Sequence, residues 1–199
     1  MLKMTNVSFA FEKQSIFEDL SLELKKGEIL AIMGPSGYGK TTLLGLTSGL
    51  LKPKSGEILN SFEKIAYVFQ EPRLFPWLTV KENLLAVMDA KDDCANKIVT
   101  ECLSLVGLAD ALDKYPDELS GGMKSRASLA RALSYGGDLF LLDEPFAALD
   151  EDLRRDLAVK IKDYLRARGA SAILVTHNRE DAEMIADRIF TVQDLTKTK

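Results

Sequence analysis

Residues 28–46 read EILAIMGPSGYGKTTLLGL, and three kinds of local order follow one another within them. EILAIM is a nearly continuous apolar run, the pattern of a strand buried on both faces. TTLLGLTSGL, from residue 41, reads as a helix. Between the two, Gly34, Pro35, Ser36, Gly37, Tyr38, Gly39, Lys40 and Thr41 fit G-x-x-x-x-G-K-[ST], and Thr42 closes the stretch. The glycines let the backbone turn so tightly that successive N–H groups point inward at phosphate oxygens. The helix behind adds its positive N-terminal end. Lys40 is placed to reach the β- and γ-phosphates of a nucleotide, and the Thr41 hydroxyl to ligate Mg²⁺. Strand, glycine loop and helix in this order are the context such a match requires.

Outward from this unit, the chain changes period several times. LKMTNVSFAF and IFEDLSLEL alternate with period two and read as strands, as do GEILNSF and KIAYVF. TVKENLLAVM and CANKIVTECLSLVGL read as helices. DLFLLDEP and SAILVTH are buried strands, EDLRRDLAVKIKDYLRARG is an amphipathic helix, REDAEMIADR a short helix and IFTVQ a last strand. The pattern predicts an α/β fold of the P-loop NTPase kind. Its parts are a mainly parallel central sheet, an antiparallel β part near the N-terminus and an inserted helical subdomain. One domain is expected, with residues 1–78 and 138–199 as the NTPase lobe and about 79–137 as the helical insertion.

The strand DLFLLDEP ends in two carboxylates. Ligands of such sheets bind at the C-terminal strand ends, where Asp143 emerges and can hold Mg²⁺ beside retained water. Glu144 is expected to point differently, because successive strand residues alternate. It is the candidate to orient and deprotonate an attacking water.

A second helix start, LSGGMKSRASLARAL at residues 119–133, repeats the phosphate-binding layout. Together with the loop and the paired carboxylates, it resembles the nucleotide-binding subunits of ATP-binding cassette (ABC) transporters, over nearly the whole chain. Leu119, Ser120, Gly121, Gly122 and Met123 are similar to the family's signature motif, which has glutamine where this chain has Met123. The resemblance implies further roles. Phe11 corresponds to the aromatic that stacks on adenine. Gln70 corresponds to the glutamine that joins core to helical subdomain and contacts Mg²⁺ or water. Ala148, Leu149 and Asp150, following Ala147, correspond to the loop facing a second subunit, and His177 to the histidine at the γ-phosphate. It also implies a head-to-tail dimer in which each signature meets the γ-phosphate held by the other chain. FQEPRLFPWLTVKENL and DEPFAALD are similar to importer ATPases of the nitrate, sulfonate, taurine and thiamine group.

The 199 residues, 46% hydrophobic, suit one ordinary domain. A net charge of −4 gives no global basic footprint, so nucleic acid is not an expected partner. Cys94 and Cys102 read as buried small hydrophobes in a reducing compartment. MLKMTNVSFAFEKQ lacks the apolar core of a signal peptide, and no run is long enough to span a bilayer. The resemblance implies ATP and Mg²⁺ as ligands, a transmembrane permease, a second ATPase subunit (as a homodimer) and an extracytoplasmic solute-binding protein as partners. It places the chain at the cytoplasmic face of the membrane. Export, or service in a soluble non-transport complex, are the alternative readings. Trp77, in RLFPWLTV, reads either as a packed core aromatic or as part of a groove for a helix of the permease.

Overall fold

The computed structural model describes residues 1–12, 14–89 and 92–195. Two long strands open the chain, β1 (Leu2–Phe11) and β2 (Gln14–Leu24), followed by β3 (Ile29–Met33) and α1 (Lys40–Thr47). Then come β4 (Ser55–Asn60), β5 (Ile65–Val68), α2 (Val80–Leu85), α3 (Asp93–Leu105) and α4 (Gly121–Tyr135). The last part holds β6 (Leu139–Asp143), α5 (Glu151–Ala167), β7 (Ser171–Thr176), α6 (Arg179–Ile185), β8 (Arg188–Thr191) and α7 (Val192–Leu195).

The apolar runs become a five-stranded sheet in the order β5-β6-β7-β3-β8, parallel throughout. β1 pairs antiparallel with β2 and β4 in a separate three-stranded sheet. The α/β P-loop fold with an antiparallel β part is therefore as the sequence predicts.

Alternation along the central strands splits the core in two. Leu30, Ile32, Leu139, Leu141, Ile173 and Val175 face one side, where α1 and the antiparallel sheet pack. Ala31, Phe140, Leu142, Ala172 and Leu174 face the other, which α4, α5 and α6 cover. The helices α2, α3 and α4 pack on one another, and α4 also lies on β5. The two glycine-led helices, α1 and α4, thus sit on opposite faces of the central sheet.

Three local readings change. IFTVQ is not all strand: β8 stops at Thr191, whose hydroxyl accepts from the Asp194 N–H at 3.2 Å while Asp194 Oδ2 accepts from the Thr191 N–H at 2.7 Å. That reciprocal cap starts α7 where a strand was expected. α2 ends at Leu85, short of Met88. Cys102 is buried, but Cys94, in the first turn of α3, is exposed.

The inner face sets stability. Leu141→Ala, at a fully buried site, is expected to cost about 2–5 kcal/mol. Leu50→Ala, at 66% exposure, should change stability by less than about 0.5 kcal/mol. Urea unfolding of the two variants beside the parent checks both.

Candidate functional site

Parallel pairing brings three strand ends to one edge. β3 leads into the glycine loop, β6 ends at Asp143, and β7 ends at Thr176, one residue before His177. The loop turns on left-handed glycines, Gly37 at φ 84° and Gly39 at φ 88°. Gly39 has no room for a side chain: a Cβ there would meet Ile16 Cγ2 at 2.6 Å and the Phe17 ring at 2.8 Å. Tyr38 projects outward.

Lys40 is buried and folds back over its own loop. Its ammonium donates to the Gly34 carbonyl at 2.7 Å and the Pro35 carbonyl at 3.1 Å, and stands 3.7 Å from Glu144 Oε1. The next residue, Thr41, donates its hydroxyl to Asp143 Oδ2 at 2.8 Å. Asp143 is only 2% exposed. Burial pushes its carboxyl above the usual range, the Thr41 hydrogen bond opposes this, the Glu144 charge adds to the rise and Lys40 lowers it. Thr41 and Asp143 together offer two hard oxygen donors, the kind Mg²⁺ takes when phosphates and water fill its other positions.

Glu144 does not continue the strand alternation. β6 ends one residue earlier, and Glu144 adopts a left-handed backbone at φ 48°, with its N–H donating to the Val175 carbonyl at 3.0 Å. A non-glycine residue held there carries strain of about 1–3 kcal/mol, and such positions cluster at functional sites. The turn directs Glu144 Oε2 to His177 Nδ1 at 2.9 Å. One carboxylate thus spans Lys40 and His177.

The remaining predicted residues stand on other elements of the fold. Phe11 ends β1, half exposed, its ring edge-on to Phe9. Gln70 is exposed two residues beyond Val68, where β5 ends. Ser120 caps α4 by accepting from the Met123 N–H at 3.3 Å. Gly121 faces open space, whereas a Cβ on Gly122 would meet the Ala148 carbonyl at 2.9 Å. Leu119 is buried. Met123 packs partly buried against the apolar cluster of its sheet face, so it fills space where a glutamine would hydrogen-bond. Leu149 packs on the same cluster, Ala148 is exposed, and Asp150 caps α5 through the Leu153 N–H at 3.0 Å.

Trp77 is 70% exposed, which removes the reading of a packed core aromatic. Its ring centroid lies 5.7 Å from that of Phe75. Nearby, β5 and α4 enclose a groove of about 270 Å³ lined by Ile65, Tyr67, Val87, Arg131 and Tyr135, away from the phosphate loop. Two residues of this region escape motif reading. Arg131 reaches the loop after Gln70, and Arg154 pairs with the buried Asp181 at 3.3 Å. Arg131 stands between Ala130 and Ala132 and Arg154 follows Leu153, so neither carries a motif that names its partner.

The model of the ABC transporter family matches residues 17–147. The chain belongs to the ABC transporter family. This cassette is 40% identical to the aliphatic sulfonates import ATP-binding protein SsuB of Bacillus licheniformis over 184 residues, covering 89% of the chain and 72% of SsuB. It is 38% identical to the Fe(3+) ions import ATP-binding protein FbpC 2 of Haemophilus influenzae over 210 residues, 97% of the chain but 59% of that relative. With the nitrate import ATP-binding protein NrtC of Synechococcus elongatus it shares 39% identity over 86% of the chain and 28% of NrtC. The cassette thus spans less than two thirds of the length of several relatives it matches. Among solved structures it superposes on the dimeric structure of the bacterial ABC transporter cassette MJ0796 with a TM-score of 0.86, at 30% identity and covering 96% and 94% of the two chains. The post-hydrolysis dimer of MJ0796 bound to ADP and Pi gives a TM-score of 0.85 at the same identity. Among the described residues, no helix is long and apolar enough to cross a membrane.

Because the fold raises the pKa of Asp143, it holds the charged form at a cost. Stability carried by this group is lost as pH rises from the ordinary carboxylate value through the elevated one. Asp143→Asn is therefore expected to melt higher than the parent at neutral pH while losing ATP turnover. Thermal melts without nucleotide check the first part, and a lower Tm contradicts it.

Proposed function

We propose that this chain is the ATP-hydrolysing subunit of an importer, and that it works as a head-to-tail dimer against a transmembrane permease. The observation that carries the reading is the cluster Lys40, Thr41, Asp143, Glu144 and His177 at one sheet edge, with a second anion-binding helix start on the opposite sheet face.

The geometry is compatible with the following division of roles. Phe11 offers its exposed ring to adenine. Residues Gly34 to Thr42 wrap the phosphates, and Lys40 exchanges the Gly34 and Pro35 carbonyls for β- and γ-phosphate oxygens. Thr41, Asp143 and Gln70 would hold Mg²⁺, which neutralises charge on the β- and γ-phosphates when bound. Glu144 Oε2 orients the attacking water, and His177, 2.9 Å away, steadies that carboxylate and reaches the γ-phosphate.

Gly121 is open to solvent and Ser120 caps the helix behind it, so the α4 start can take an anion from outside its own chain. The γ-phosphate of a second cassette fits that requirement, and the loop Ala148 to Asp150, in contact with Gly122, lies beside the same surface. The dimeric MJ0796 cassette supports this arrangement. The exposed Phe75 and Trp77, with the Phe75 ring 5.9 Å from the groove-lining Arg131, suit a helix from the permease. SsuB, NrtC and FbpC 2 are import proteins for sulfonates, nitrate and Fe(3+), which supports import while leaving the solute to the permease and a solute-binding protein outside the membrane. Such a subunit would sit at the cytoplasmic face of the membrane.

Two experiments test this. Glu144→Gln should bind ATP, fail to turn over and run as a dimer on a sizing column only when ATP is present. An ATP-bound variant that stays monomeric at high protein concentration and low salt contradicts the dimer. Trp77→Ala should leave the ATPase of the purified chain within about twofold of the parent and weaken its stimulation by the reconstituted permease more than about tenfold. Unchanged stimulation contradicts the assigned groove.

A further inference from the structure

The segment after β5 runs Phe69-Gln70-Glu71-Pro72-Arg73, and aromatic and cationic groups hold it in place. The Phe69 ring stacks on Tyr67 with centroids 4.1 Å apart, and the Arg73 guanidinium lies 4.1 Å over the Phe69 ring. Arg73 adopts a left-handed backbone at φ 45°, a strained setting for a non-glycine residue. From α4, Arg131 sends Nη1 to the Arg73 carbonyl at 2.8 Å and Nη2 to the Pro72 carbonyl at 3.1 Å. The Phe75 ring lies 5.9 Å from the same guanidinium.

Two consecutive carbonyls bound by one planar fork make a rigid clamp. A lysine ammonium, a rotating point charge, does not reproduce it. Val68 is fixed in the sheet by its pairing with Leu142, and Pro72 is fixed to α4. Gln70 lies midway between those anchors. A shift of α4 against the sheet therefore pulls on the backbone that carries Gln70.

We propose that Arg131 is a positioning residue for Gln70, tying the glutamine loop to the helix that begins at Ser120 so that both move as one body. A γ-phosphate engaged by the α4 start would then draw Gln70 into register with its own chain's nucleotide. Arg131 touches no reacting atom; it acts through the Pro72 and Arg73 carbonyls. The proposal rests on the assignment of Gln70 to the nucleotide site.

The test is a double-mutant cycle on the ATPase of the purified chain, with R131K, Q70A and the pair. R131K is expected to lower kcat about tenfold and leave KM for ATP within about twofold. On the Q70A background, R131K should cost less than about twofold further, because both changes break one linkage. Hydrogen exchange should rise in residues 69–75 of R131K while α4 keeps its protection. R131Q, planar but too short to span both carbonyls, should follow R131K in rate and serves if the lysine variant melts early. Rate losses that multiply in the pair, or a loss carried by KM, overturn the proposal alone. A Q70A chain with parental kinetics removes the role of Gln70, and the proposal falls with it.

Discussion

Parallel pairing of β3, β6 and β7 is the constraint on which the rest depends. Each strand is apolar on both faces, so each must be covered on both sides, and the strands can then lie only side by side in the middle of the sheet. Once they do, their C-terminal ends coincide. Lys40, Asp143, Glu144 and His177, distant in sequence, become neighbours through the pairing of these strands. The site is a by-product of burying Ile29–Ile32, Leu139–Leu142 and Ala172–Val175. It is also where the fold carries strain: Asp143 is desolvated and Glu144 is held left-handed.

The same sheet separates the two helix starts. α1 and α4 bury their apolar faces on opposite sides of it, so the two glycine-led helix starts have different surroundings. A helix start contributes only about 0.3–2 kcal/mol toward a charge. The α4 end gains a large effect only through repetition, with several N–H groups, a Ser120 hydroxyl and a symmetry-related second site acting together. That arithmetic motivates the proposal that the signature is half of a shared site.

Much of this was legible because its cause is local. EILAIM, DLFLLD and SAILVT announce buried strands by composition, and GPSGYGKT announces its loop by where glycines must stand. What was not legible depends on partners far away in sequence. Strand alternation gave the wrong reason for the direction of Glu144, since β6 ends one residue before it and the Val175 carbonyl fixes its N–H. IFTVQ reads as strand until the Thr191–Asp194 cap competes for the backbone. Cys94 and Trp77 look buried by residue type, yet both are exposed. Met123 looked like a gap in a motif, and it is a packing residue whose role is set by the apolar cluster below it.

The shared site is tested most directly by mixing two inactive variants, Lys40→Met and Ser120→Phe. If each site combines the loop of one chain with the signature of the other, a mixed dimer holds one doubly broken site and one intact site. With random pairing, half the dimers are mixed and each has one working site of two, so ATP hydrolysis should recover to about a quarter of the parental rate. A mixture no faster than either variant alone would contradict the account.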